Sequence, residues 1–153
     1  MKRIENCVAG CSPVLANILE IAARAALRAG KILRELYGKP HHIRHKGDID
    51  LVTEADISSE NAIIALLDKA GLHAEILAEE SQSTYNEILA GPVWIIDPLD
   101  GTTNFAHGLP WFAVSIAYAE KGGSRAGVIY CPLQDELFFG CLDSGAWLND
   151  KPI

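Results

Sequence analysis

Long apolar runs are missing from this chain of 153 residues: nowhere do about 18 apolar residues stand together, which excludes a membrane-spanning helix. The opening "MKRIENCVAGCSP" is basic but lacks the apolar stretch of a secretory signal. Cations are scarce as well. There are 13 Lys and Arg against 20 Asp and Glu, a formal net charge of −7. Nucleic-acid affinity comes from clustered Lys and Arg, so that deficit argues against a nucleic-acid partner. A small phosphorylated substrate remains admissible, because a bound cation can reverse the local sign. Cysteine is limited to Cys7, Cys11, Cys131 and Cys141. Cys7 and Cys11 form a CxxxC pair with no second half of a zinc pattern, so the expectation is reduced thiols in a cytoplasmic protein. No internal repeat and no low-complexity linker occurs. What remains is ordinary: 49% hydrophobic and 22% charged residues, enough for one globular domain with a sizeable core.

Ser12-Pro13 reads as an N-cap followed by a proline at the first helical position. Leu15, Ile18, Leu19, Ala22, Ala25, Ala26, Ala29, Ile32, Leu33 and Leu36 then recur at helical spacing, predicting a helix from about Val14 to Tyr37 that ends before Gly38. "GKPHHIRHKGDID" reads as a polar loop. Ile63, Leu66, Leu67 and Ala70 predict a second helix from about Glu54 to Ala70. From residue 75 the pattern turns to strands: "AEIL", "VWIID", "FAVSIAYAE", "RAGVIYC", "ELFFGC" and "GAWLND", with "KGGS" as a hairpin turn. The expected fold class is α+β, two helices packed on a largely antiparallel sheet.

The chemistry concentrates in "WIIDPLDGTTNFAHG", Trp94 to Gly108. Asp97 and Asp100 stand three apart, and Pro98 between them suits an abrupt strand exit. Two carboxylates so close repel, and one is driven to protonate unless a cation offsets the charge. Oxygen donors without His or Cys favour magnesium or manganese over zinc. Gly101 permits close backbone approach, and Thr102 and Thr103 offer N–H and hydroxyl donors. A short helix starting there would present free N–H groups to an anion. Glu79 and Glu80 follow the strand "AEIL". Alternation along an extended chain aims only one of them at a given site. Asp56 has two readings: a capping-box partner of Thr53, or a member of the acidic site.

"DLVTEAD", "AEES" and "WIIDPLDGTTNFAHGLP" occur in the order and spacing of the inositol monophosphatase family, magnesium-dependent and lithium-sensitive phosphatases related to fructose-1,6-bisphosphatase. The tail "SGAWLNDKPI" also resembles that family. The resemblance runs from about residue 13 onward, leaving residues 1–12 as an N-terminal tail and 13–153 as a metal- and phosphate-binding domain equivalent to the family's N-terminal portion. It implies that Glu79, Asp97 and the Leu99 carbonyl hold a first Mg²⁺ (or Mn²⁺), and that Asp97 and Asp100 share a second. It implies that Gly101 and Thr102 bind phosphate through backbone N–H groups, with Asp100 also at the substrate. Asp56, Thr102 and Glu79 form the implied catalytic group, Thr102 and Asp56 orienting and deprotonating the attacking water. Glu80 supports the site, Lys46 neighbours it, and a third, weaker Mg²⁺ is implied near Glu79 and Asp56.

The implied activity is Mg²⁺-dependent hydrolysis of a small phosphate monoester, with myo-inositol monophosphate as the default substrate and a possible homodimer. Fructose-1,6-bisphosphate and 3′-phosphoadenosine-5′-phosphate are the alternative substrates; a non-catalytic protein-binding fragment is the alternative role. The family carries a further ligand aspartate in a Trp-Asp motif of its C-terminal domain, and no such pair occurs here, so impaired activity is expected. Ala78 stands where many members have Gly. His41, His42 and His45 read as an exposed polar loop rather than a metal tract. Trp94, Trp111, Phe112 and Trp147 read as core aromatics.

Overall fold

The computed structural model describes residues 4, 10–39, 44–45, 51–52, 54–78 and 91–153. Helix α1 spans Pro13–Leu36, opened by Ser12, whose Oγ accepts the Leu15 N–H at 3.3 Å. Its buried stripe, Ile18, Leu19, Ala22, Ala25, Ala26, Ala29 and Leu33, follows the spacing read from the sequence. Small alanines on that stripe let the helix lie close to the sheet. At Gly30 an added Cβ would run into the Tyr130 ring. Two short strands pair antiparallel, β1 (Arg44–His45) inside the segment expected to be only loop and β2 (Leu51–Val52) directly after it. Helix α2 covers Glu54–Lys69.

The strands β3 (Glu75–Ala78), β4 (Val93–Asp100), β5 (Ala113–Glu120), β6 (Gly123–Cys131), β7 (Glu136–Cys141), β8 (Gly145–Leu148) and β9 (Lys151–Pro152) form one sheet in that order. Only the β3–β4 pair is parallel; the others are antiparallel. A third, short helix, α3 (Thr102–Ala106), follows β4. Among the described residues the fold is therefore α+β, with three described helices against a mixed, mostly antiparallel seven-stranded sheet. The β5–β6 turn is the two residues Lys121 and Gly122, both at positive φ (54° and 74°), the geometry that matches the twist of a tight hairpin. The closing strand β9 was not expected; Asn149, at φ 57°, turns the chain back on itself. Ala78 in β3 has no positive φ, so its replacement of Gly carries no backbone cost.

Helices α1 and α2 cover one face of the sheet, where Trp94, Ile96, Val114, Ile116, Val128, Tyr130, Leu137 and Phe139 are buried. Ile4 also joins this core. The opposite face leaves Ile95 and Ile129 about two-fifths or more exposed.

Two expectations need correction. Cys11 and Cys141 are joined in a disulfide rather than reduced, their Cα atoms 6.6 Å apart. Local CxxxC spacing carried no information about a partner 130 residues away. The fold creates the pair by docking the start of α1 beside β7. Cys131 is a free thiol, and Cys7 lies outside the described residues. Trp111 is not a core residue: it is 69% exposed on the loop after α3, whereas Trp94 and Phe112 are buried and Trp147 stacks half-buried on Phe139. His41 and His42 lie outside the described residues.

A crosslink closing so long a loop is worth typically 2–4 kcal/mol. Reduction should therefore lower the melting temperature by roughly 5–15 °C. The Cys11→Ser variant should melt at the temperature of the reduced protein and ignore added reductant. A melting curve of the parent protein that reductant leaves in place would show that the bond does not contribute.

Candidate active site

The site is built where β4 stops behaving as a strand. Asp97 pairs with Ser115 and Asp100 with Ala113, so Pro98 and Leu99 together face the single residue Val114. This is a β-bulge, and the backbone groups it takes out of the ladder need other partners. Side chains supply them. The Pro98 carbonyl accepts the Ser59 hydroxyl at 2.8 Å. The Leu99 N–H donates to Asp97 Oδ1 at 3.1 Å. The Leu99 carbonyl accepts the Thr102 hydroxyl at 3.0 Å.

Thr102 opens α3, and its Oγ1 also lies 3.0 Å from Asp56 Oδ1 on α2. Asp56 is 1% exposed. A hydroxyl has one proton, so Thr102 donates either to Asp56 or to the Leu99 carbonyl at any moment. Any cation drawn to the Leu99 carbonyl would commit that proton to Asp56. Asp56 is thus bound across the fold to Thr102, while Thr53, its partner in the capping reading, lies outside the described residues.

Gly101 precedes α3 with φ 91° and ψ 35°, a left-handed conformation. An added Cβ there would sit 2.9 Å from the Trp111 carbonyl. The glycine is required twice, by its backbone angle and by that approach. Behind α3 stands an aromatic group that the sequence reading did not assemble: Tyr37, Phe105 and Phe112, with ring centroids 4.9–5.7 Å apart. The Tyr37 hydroxyl donates to the Gly108 carbonyl at 2.6 Å, and Asn104 Nδ2 donates to the Trp111 carbonyl at 2.7 Å. These contacts fix the loop that follows the acidic turn.

Beside Asp100 and Gly101 lies a cavity of about 210 Å³ walled also by Asn104, Trp111, Cys131 and Gln134. Burial pushes the Cys131 thiol above its ordinary pKa, and the negative charges of Glu136 and Asp100 add to the shift. A larger cavity of about 460 Å³ lies over β5–β8 and contains none of the acids. Of these two cavities the smaller borders Asp100, and neither is lined by Asp56 or Asp97.

The structure thus brings together Asp56, Asp97, Leu99, Asp100, Gly101 and Thr102. Glu79, Glu80 and Lys46 lie outside the described residues. Among the described residues no group of three or more His, Cys, Asp or Glu is placed to hold a metal ion. Two carboxylates and one backbone carbonyl at the bulge form a partial set. Its all-oxygen chemistry suits a hard divalent cation. Sequence reasoning missed Ser59 and Tyr37. A serine inside a helix carries no motif, and Tyr37 read only as a helix end.

The model of the inositol monophosphatase family matches residues 14–153. The chain belongs to the inositol monophosphatase family. Inositol monophosphatase 3 of Solanum lycopersicum is 44% identical over 139 residues, covering 90% of this chain and 52% of that protein. The crystal structure of the extragenic suppressor protein SuhB of Bartonella henselae superposes with a TM-score of 0.82 at 42% identity, over 88% of this chain and 53% of that one. Inositol monophosphatase-II of Staphylococcus aureus, bound to inositol monophosphate, superposes with a TM-score of 0.73 at 25% identity, over 89% and 48% of the two chains. The chain spans about half the length of these relatives.

Gly101→Ala should cost about 1–3 kcal/mol from backbone strain and the clash with the Trp111 carbonyl. Urea denaturation followed by circular dichroism measures this. An unchanged midpoint would show that the left-handed turn is not required.

Proposed function

We propose that the protein to which these residues belong hydrolyses a small phosphate monoester with the help of Mg²⁺ or Mn²⁺. One observation carries the reading: Asp56, almost fully buried, is hydrogen-bonded to Thr102 at 3.0 Å beside the Asp97–Asp100 bulge. A buried carboxylate holding a hydroxyl next to two further acids is the arrangement a proton relay needs.

Asp97, Asp100 and the Leu99 carbonyl would hold the cation, with Glu79 as a further ligand. When bound, the cation supplies Lewis-acid charge at the phosphoryl oxygens and makes water more acidic. The chain's own residues do the rest. The Gly101 and Thr102 N–H groups orient the phosphate. Asp56 holds the Thr102 proton, which leaves a lone pair of Thr102 Oγ1 to accept a hydrogen bond from the attacking water. As the water oxygen bonds to phosphorus and the ester P–O bond breaks, the water's proton moves through Thr102 Oγ1 to Asp56. The electron pair of the broken bond leaves with the alkoxide. Glu80 and Lys46 would steady this set from outside it.

The substrate we assign is myo-inositol monophosphate, supported by the family and by the ligand of the S. aureus relative. Fructose-1,6-bisphosphate and 3′-phosphoadenosine-5′-phosphate are the alternatives within the same chemistry. Lithium sensitivity and a homodimer belong to this reading and rest on the family resemblance alone; the expectation of a cytoplasmic location rests on reduced thiols, and the Cys11–Cys141 disulfide removes that ground. No described helix is long and apolar enough to cross a membrane.

Mixed with the remaining half of a close relative, the chain should release inorganic phosphate from myo-inositol monophosphate in Mg²⁺ and lose that activity with a chelator. In that mixture Thr102→Ala should lower kcat by roughly a hundredfold or more while KM moves only a few-fold, as expected for general acid–base work. An unchanged kcat would remove Thr102 and Asp56 from the proton path.

A further inference from the structure

Among the described residues three polar or charged side chains are buried, Asp56, Ser59 and Glu60, and all stand on the first two turns of α2. Asp56 has a role in the proposed reaction. Ser59 has none so far, yet it is 0% exposed and lies one turn beyond Asp56, on the same side of the helix.

Its hydroxyl donates to the Pro98 carbonyl at 2.8 Å across 39 residues of sequence. Pro98 is the first of the two bulged residues, so its carbonyl is out of register with β5. The Pro98 carbonyl and the Leu99 N–H belong to one peptide group, which is planar and trans, with no cis bond in the described chain. In a trans peptide the C=O and N–H point in opposite directions. Drawing the carbonyl toward Ser59 therefore aims the Leu99 N–H away from α2, where it meets Asp97 Oδ1 at 3.1 Å. That bond fixes one oxygen of Asp97 to the backbone of the bulge.

We propose that Ser59 is a positioning residue: through the rigid Pro98–Leu99 peptide plane it sets the orientation of the Asp97 carboxylate toward a divalent cation. The inference rests on the reading of Asp97 as a cation ligand. Helix α2 then grips the acidic turn at two points, at Thr102 through Asp56 and at Pro98 through Ser59. Its role extends from carrying an acid to holding the geometry of two others.

Two measurements on the whole chain test this. Calorimetric titration with Mn²⁺ compares the unaltered protein with Ser59→Ala, Ser59→Thr and Asp97→Asn. NMR hydrogen exchange without metal follows the Leu99 amide. Loss of a group that orients a ligand typically weakens metal binding about 10–100-fold. Ser59→Ala should show a fall in that range and faster exchange at Leu99, both largely restored in Ser59→Thr. Unaltered Mn²⁺ affinity in Ser59→Ala would overturn the proposal. So would an affinity loss with Leu99 exchange unchanged, or an equal loss in Ser59→Thr, since neither would trace to the hydroxyl acting through the peptide plane. If Asp97→Asn binds as tightly as the unaltered protein, or if that protein gives no heat, the metal reading fails by itself. The Leu99 exchange rate then decides the hold of Ser59 on the turn.

Discussion

Everything at the candidate site follows from two residues of β4 facing one of β5. A bulge in a buried strand strips backbone groups of their ladder partners, and leaving a buried donor or acceptor unpaired costs about 1–3 kcal/mol. Here the freed groups meet side chains: Ser59 at the Pro98 carbonyl, Asp97 at the Leu99 N–H and Thr102 at the Leu99 carbonyl. Those three bonds tie α2, β4 and α3 to one another. They also determine where the acids stand, because Asp97 and Asp100 flank the bulge and Asp56 shares Thr102 with it. Satisfying the backbone and arranging the acids are the same event.

The rest of the fold supports that junction. Helix α1 reaches from the Cys11–Cys141 crosslink at one end to Tyr37 at the other, and Tyr37 packs on Phe105 and Phe112 directly behind α3. The left-handed Gly101 makes the change from strand to helix in a single residue. Neighbouring carboxylates carry a repulsive cost, and a hard cation among oxygen donors offsets it. The same crowding of acids that shapes the turn therefore favours a hard cation there over an empty pair of carboxylates.

Much of this was legible before any coordinates. The alanine-rich stripe and the Ser12-Pro13 start predicted α1 to within a residue at each end. "KGGS" predicted the β5–β6 hairpin, and "ELFFGC" coincides with β7. "DPLDGTTN" identified the turn because acids, proline and glycine each had a physical reason to be there. Asp56 was ambiguous, since its contact with Thr102 spans 46 residues and local spacing offered a capping role just as well. Ser59 and the Cys11–Cys141 pair were illegible for the same reason: their partners are set by the packing of α1 and α2 on the sheet. Trp111 misled because aromatic character predicts burial, while its loop is held by backbone carbonyls and leaves the ring outside.

The central claim is that the β4 bulge is a cation site lined by oxygen. Crystals of the protein grown with Mn²⁺, measured at a wavelength where manganese scatters anomalously, test it most directly. The account predicts an anomalous peak within about 2.5 Å of carboxylate oxygens of Asp97 or Asp100, at the distances hard cations adopt. A peak only at His41, His42 or His45, or density at the bulge with no anomalous signal, would contradict it.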